Sequence, residues 1–545
     1  MKQQNDKCLI FIYSLIFLFI TTFSAHTLFS WIGFNPTDDG TVLAGAKRIL
    51  VGQIPYKDFI SIRLPGSYYL HAPFLIVGTQ YSLWLSRLFT WFEFALIVWF
   101  WVIIITIISS RNFKISWSIP LFPIIWAVIG FAFTSHNFPI MPWHSIDGLV
   151  FASLGLLLIS RSVTKKEKLI GYFFLGTSVL FRQNFILLLP LILILNNDWL
   201  DITMWSASLA SLGFMTVYLL ITGAFFDALI QLSAQTDILG TGFFSYLRAS
   251  FLFIFVISFL INSLFLSKKK FLSIVGFLLN LIFLLYLSYS LGNGHLFAYR
   301  QSFYVFWFFM GLFGYLLFNR NQYIHLLRTI GASICLGWVT SISIGYNTPA
   351  LVSCVFIIIL LSLLWQIADK IKLRFLYSCF LFLMFLITMK NYIYIRNYEV
   401  YRDLSVNRLT FNLGDVLKSG KYIKTNANTY DFLLDLNNAI KKVGIKKYAI
   451  IPDLAVYWIS STAINPLPID WVQGQEIINT YEKSRILNTL QSFKKYGVII
   501  VQKYSAGSIA TKVEPLPNTD VYELVSFVRN NFKLIGETKY FYLYQ

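Results

Sequence analysis

Two adjacent carboxylates, Asp38 and Asp39, stand in Asn35-Pro-Thr-Asp-Asp-Gly, just beyond the first apolar run of the chain. Acidic residues are scarce there, with only 13 in the first 400 positions. A partly desolvated carboxylate can take the proton of a hydroxyl nucleophile, which is one reason to keep such a pair beside a membrane. The position also suits helix capping, because a helical run from Thr41 to Leu50 follows and Asp is a favoured N-cap. Residue type supports both roles equally. Asp147, in His144-Ser-Ile-Asp-Gly, likewise stands where it could cap a later helix. His136, His144 and Asp147 also bring three potential ligands into one short stretch, so a divalent metal is a further option. Their spacing is not that of a helical zinc motif such as H-E-x-x-H. Arg182 stands inside an apolar stretch, and a charge at the bilayer centre costs at least ~2.5 kcal/mol.

The elements that must hold these residues are membrane helices. Of 545 residues, 57% are hydrophobic and 13% charged, against roughly 25% charged in soluble chains. Apolar runs, many near the ~20 residues that cross a bilayer, lie at about 8–32, 81–108, 117–134, 147–160, 169–196, 202–222, 248–267, 271–291, 302–318, 329–345, 350–368 and 375–390. The net charge of +19 gathers in short clusters between them: Arg111 and Lys114, Arg161 to Lys168, Lys268 to Lys270, Lys370 to Arg374. That is the pattern of cytoplasmic loops, and it excludes a nucleic-acid binder, which would carry a basic stripe on a soluble segment. With the N-terminus inside, all clusters fall inside only if 169–196 is two short helices broken at Phe181-Arg182-Gln183-Asn184. The break also moves Arg182 to the outer side, into a protein-walled, hydrated cavity. A single tilted helix with Arg182 paired inside the bundle is the alternative. The four cysteines lie in apolar segments without metal-ligand spacing.

The expected fold is therefore an all-α polytopic membrane domain of about 13 helices over 1–390, with its first external loop at 33–80. An extracytoplasmic α/β domain follows over 391–545. In that tail Tyr448-Ala-Ile-Ile-Pro and Gly497-Val-Ile-Ile-Val read as buried strands and 475–494 as a helix. The first loop continues with Gly52-Gln-Ile-Pro-Tyr-Lys-Asp-Phe and Arg63-Leu-Pro-Gly-Ser-Tyr-Tyr-Leu. An acidic pair, then G-x-x-P-Y-x-D-F, then a basic residue before Pro-Gly resembles the GT-C glycosyltransferase superfamily, on the branch of protein O-mannosyltransferases and lipid A aminoarabinose transferases. The resemblance is clearest through about residue 200. It extends loosely to Ile451-Pro-Asp and Tyr457 to Pro466 in the tail.

The resemblance implies an inverting transfer of a sugar from a polyprenyl-phosphate donor to an acceptor outside the cytoplasm, in the plasma (inner) membrane. It implies Asp38 as general base with Asp39 supporting, and Asp147 as the second acidic residue at the outer end of the fourth helix. Arg63 matches the family's Lys before Pro-Pro, a departure that keeps a phosphate-binding cation. Arg182 and Arg300 are further phosphate candidates, with Tyr56 and Lys57 of the first loop beside them. No cofactor is required by this reading, and metal dependence varies across the superfamily. The acceptor (lipid, glycan or protein) has no readable code. The alternative is a polytopic lipid or oligosaccharide transporter or flippase. The absence of an internal repeat and the placement of carboxylates in loops count against it.

Overall fold

The computed structural model describes residues 2–113, 121–233, 240, 242–343, 347–444, 447–474, 476–477 and 479–545. Lys114, Asp237, Gln475, the start of the 117–134 span and the end of the 329–345 span lie outside them. The helices are α1 (Lys2–Phe29), α2 (Thr41–Leu50), α3 (Gly66–Val77), α4 (Ser82–Phe113), α5 (Leu121–Ser135), α6 (His144–Arg161), α7 (Lys165–Thr177), α8 (Leu188–Leu195) and α9 (Ile202–Thr222). They continue as α10 (Phe225–Ser233), α11 (Ala249–Phe265), α12 (Lys270–Ser290), α13 (Ser302–Phe318), α14 (Arg320–Ser341), α15 (Ser353–Ile371) and α16 (Arg374–Tyr398). Each expected span is a helix or, at 169–196, a pair of them. Among the described residues eight helices are long and apolar enough to cross a membrane, and α5, α8 with its leading turn, and α11 are shorter apolar helices. The chain is a multi-pass membrane protein. Its last long helix runs past residue 390 to Tyr398.

The 169–196 stretch breaks where its polar residues fall. A capping box between Thr164 and Glu167 starts α7. After α7 come a 3₁₀ turn over Ser178–Leu180, an extended Arg182 and a second 3₁₀ turn over Gln183–Leu187 that leads into α8. The far ends meet again: Lys168 Nζ lies 2.6 Å from Asp198 Oδ2, and Lys165 Nζ lies 2.7 Å from Asp201 Oδ2. The Tyr172 hydroxyl donates to Asp198 at 2.6 Å. Both ends of the stretch therefore lie on one side, and α7 and α8 form a hairpin with Arg182 at its tip. Glycines let its walls close up, since a Cβ on Gly176 would collide with the Ser208 carbonyl of α9.

Beyond α16 the tail builds a four-stranded sheet from β3 (Lys447–Ile451), β4 (Gly497–Gln502), β5 (Leu534–Glu537) and β6 (Phe541–Tyr544), after a two-residue pair β1 (Phe411–Asn412) and β2 (Lys424–Thr425). The order is β3-β4-β6-β5, with β3 parallel to β4 and the other pairs antiparallel. The two strands expected from sequence are neighbours, with Tyr448 opposite Val498. Helices α17 (Ala427–Val443), α18 (Ala455–Ser460), α19 (Thr480–Phe493) and α20 (Glu523–Asn531) complete the tail. The helix expected over 475–494 starts at Thr480, where the Asn479 side chain accepts from the Glu482 amide.

The first loop and the tail share their cores. Phe34, Val42, Leu43 and Ala46 of the loop pack in one cluster with Leu413, Phe432, Val456 and Ile459 of the tail. Ile60 joins Ile451, Leu490 and Val525 in another. A fork from Arg48 to Asp470, with contacts of 2.6 and 2.8 Å, ties α2 to the segment before α19.

Candidate active site

The first loop, the α7–α8 hairpin tip and the tail enclose a cavity of about 730 Å³. Asp38 and Arg63 line it from the loop, His144 and Arg182 from the helices, and Asp453, Gln473 and Glu476 from the tail. Three of the sequence candidates for base and phosphate chemistry thus converge on one space.

Asp38 is buried at 4% exposure. Its Oδ2 accepts from the Tyr401 hydroxyl at 2.8 Å and from Arg402 Nη1 at 2.9 Å. Burial raises its pKa above the usual carboxylate value, opposed by the Arg402 charge and the Tyr401 hydrogen bond. Asp39 faces elsewhere. Its Oδ2 accepts from the Asn35 amide at 2.9 Å, and its Oδ1 accepts from Arg87 Nη2 of α4 at 3.2 Å. Arg87 also donates to the Ser30 and Gly33 carbonyls, so Asp39 helps fasten the end of α1 to α4. The capping reading is not realised for either carboxylate: Gly40 at φ 92° precedes α2, with no side-chain cap bond. Only Gly adopts that left-handed conformation without strain.

Arg63 meets Glu476 of the tail in a two-bond fork, with contacts of 2.8 and 3.3 Å. Arg182, 5% exposed, donates to the Ser145 hydroxyl and, at 2.9 Å, to the Ile342 carbonyl. Beside it, Gln183 donates to the Ile62 carbonyl at 2.9 Å, which joins the hairpin tip to the segment carrying Arg63.

The other candidates are placed outside the cavity lining. Arg300 lies exposed on a π-helical turn over Phe297–Gln301, while His295 and Tyr299 near it do reach the cavity. Tyr56 is fully buried, and its hydroxyl donates to the Arg63 carbonyl at 3.0 Å, shaping the loop that presents Arg63. Lys57 donates to the Thr222 carbonyl at 3.0 Å, neutralising the C-terminal end of α9. His136 is buried with its ring nitrogens 3.0 and 3.3 Å from the Phe133 and Gly294 carbonyls, and burial pushes its pKa down to about 4. Asp147 does not cap α6, which begins at His144 after Trp143. It lies fully buried, its Oδ1 3.2 Å from His71 Nε2. His136, His144 and Asp147 are therefore not one ligand set, because backbone carbonyls, the cavity and His71 claim them separately.

Several cavity residues escaped the sequence reading. Tyr401 and Arg402 hold Asp38 from more than 360 positions away. Asp453 accepts from Gln473 at 2.6 Å and from the Thr37 hydroxyl at 3.2 Å. Burial pushes its pKa up to about 6. Ile451-Pro-Asp was visible as a motif, but nothing in its spacing points it at the first loop.

On the flank of the bundle, an apolar groove of about 560 Å³ runs along α6, α7 and α9, lined by Phe151, Phe173, Phe174, Leu180, Phe214 and Met215 among others. Tyr68 faces the cavity and its neighbour Tyr69 the groove. Likewise Leu180 faces the groove and Arg182 the cavity. Start of α3 and hairpin tip thus form the partition between a charged chamber and an apolar channel.

No family model and no curated protein matches the chain. A solved structure, ArnT from Cupriavidus metallidurans bound to undecaprenyl phosphate, aligns over 99% of this chain and 98% of its own. The alignment has 10% sequence identity and a TM-score of 0.46.

Proposed function

We propose that this protein is an inverting glycosyltransferase that moves a sugar from a polyprenyl-phosphate donor onto a hydroxyl of an acceptor on the extracytoplasmic side. The observation that carries the reading is the pairing of two spaces. A cavity holding a buried carboxylate and two arginines abuts an apolar groove on the membrane flank. A polyprenyl-phosphate sugar has that same division, with a long apolar chain, a phosphate and a polar sugar. The prenyl chain lies along Phe173, Phe174 and Phe214, the phosphate meets Arg182 and Arg63 at the partition, and the sugar faces Asp38.

In the transfer, the acceptor oxygen attacks the anomeric carbon from the face opposite the phosphate. The hydroxyl proton passes to Asp38. Arg402 and Tyr401 both bind Oδ2, and Oδ1 is the atom that takes the proton. The bond from the anomeric carbon to the phosphate oxygen breaks, and polyprenyl phosphate leaves with the electron pair. Its added negative charge is stabilised by the fixed cations Arg63 and Arg182. Asp39 supports the base through the backbone, by holding Asn35 and Arg87. The bundle lies in the plasma (inner) membrane, with the N-terminus cytoplasmic and the tail outside.

The experiment is in vitro transfer from a defined polyprenyl-phosphate sugar by purified protein in lipid. Positioned general bases contribute roughly 10²–10⁴-fold, so Asp38→Asn lowers the rate by about that factor while donor binding persists. Wild-type transfer by Asp38→Asn would remove Asp38 as the base.

A further inference from the structure

One helical turn beneath the cavity floor lies a group of ionisable side chains that the transfer does not use. Tyr68 and His144 line the cavity. Three residues further along the same helices, His71 of α3 and Asp147 of α6 turn inward and meet Glu93 of α4. His71 and Asp147 are 0% exposed and Glu93 is 1% exposed. One ligand atom from each lies within 4.8 Å of the others.

We infer that His71, Glu93 and Asp147 bind one divalent metal ion of the zinc class. Geometry is the first argument. His71 Nε2 and Asp147 Oδ1 are 3.2 Å apart, and two ligand atoms at ~2.0–2.1 Å from a tetrahedral zinc ion lie about 3.3 Å apart. Charge is the second. Two carboxylates are enclosed together, and among the described residues neither forms an ion pair with Lys or Arg. Buried charge is retained only when it is paired or coordinated, and a dication balances two carboxylates.

The third argument is the polar atoms left over. Glu93 Oε2 and Asp147 Oδ2 are buried without a hydrogen-bond partner. A shared proton would join these two oxygens alone, whereas a cation would gather them together with His71 Nε2. One imidazole and two carboxylates suit zinc, and three protein ligands leave a fourth position for water. The ion would clamp α3, α4 and α6 together directly below Tyr68 and His144, fixing the floor on which the cavity rests. This inference does not depend on the sugar-transfer reading.

The test uses the full-length protein in detergent. It is equilibrated with zinc, freed of excess by gel filtration, and its metal is measured by plasma mass spectrometry. About one tightly held zinc per chain is expected. Loss of a second-shell partner alone weakens metal sites ~10–100-fold, so Glu93→Gln and His71→Asn should each weaken zinc binding at least tenfold. Cobalt exchanged into the wild type should give the visible absorption bands of a low-symmetry site, which Glu93→Gln abolishes while its elution stays monodisperse. Binding by Glu93→Gln equal to that of the wild type overturns the assignment. Where the variants fail to fold, the wild type decides, and a protein that retains no zinc after equilibration also overturns it.

Discussion

Tyr401 and Arg402 hold Asp38 in a chamber that otherwise favours its protonated form. Burial raises the carboxyl pKa, while the Arg402 charge and then the Tyr401 hydrogen bond lower it. Tyr401→Phe removes one of the opposing effects, so the pKa moves further up. The proposed transfer needs the ionised carboxylate and should be lost as pH falls through that pKa. The ascending limb of the rate profile should therefore shift to higher pH, with the alkaline plateau near the wild-type value. A limb that stays in place would detach Tyr401 from the base. Asp38 stood out because carboxylates are scarce in the first 400 positions, Arg182 because it interrupts an apolar run, and Arg63 through the loop pattern. Their tail partners were not legible: Arg402 and Glu476 are ordinary charged residues of a polar tail, and only folding brings them to the loop. Asp39 shows the converse, a residue whose type fits the chemistry but whose oxygens are taken by Asn35 and Arg87.

At the scale of elements, the α7–α8 hairpin decides where Arg182 goes, and Gly66 decides how close the hairpin tip comes. A Cβ on Gly66 would lie 2.6 Å from the Leu180 carbonyl oxygen, backbone that cannot swing aside as a side chain can. Gly66→Ala should push the tip away from α3 and displace Arg182 from Arg63. Misplacement by about 1 Å can cost ~10²-fold in rate, so transfer should fall by up to that factor while helical circular dichroism is unchanged. Wild-type turnover in Gly66→Ala would show that the partition tolerates movement. The helices were legible from apolar length, and the hairpin from basic clusters that balance only with a break. The π-helical turn over Phe297–Gln301 and helix α10 were not foreseen, because neither carries a long apolar run or a strong cap.

For the whole molecule, the hairpin brings both ends of the 169–196 stretch to one side, which makes the expected count of spans odd, and an odd count predicts termini on opposite sides of the membrane. In a cysteine-free background, Ser267→Cys should be shielded from an impermeant external thiol reagent and Thr462→Cys labelled in intact cells. Labelling at Ser267 would reverse the orientation. That apolar helices come first and a small sheet follows was legible from composition. The fusion of the first loop with the tail was not, since Leu43 and Val456 give no sign in sequence that they share a core. That fusion also sets a timetable. The loop emerges early in synthesis, yet Arg48 receives Asp470 only 422 residues later, and closing so long an interval carries an entropic penalty that grows as about (3/2)RT ln n. Until then Val42, Leu43 and Ala46 have no tail residues to pack against. The chamber is therefore assembled last, after the helices that form its floor, and a chain stopped before β3 would insert its bundle but carry an unfinished site with an exposed apolar rim.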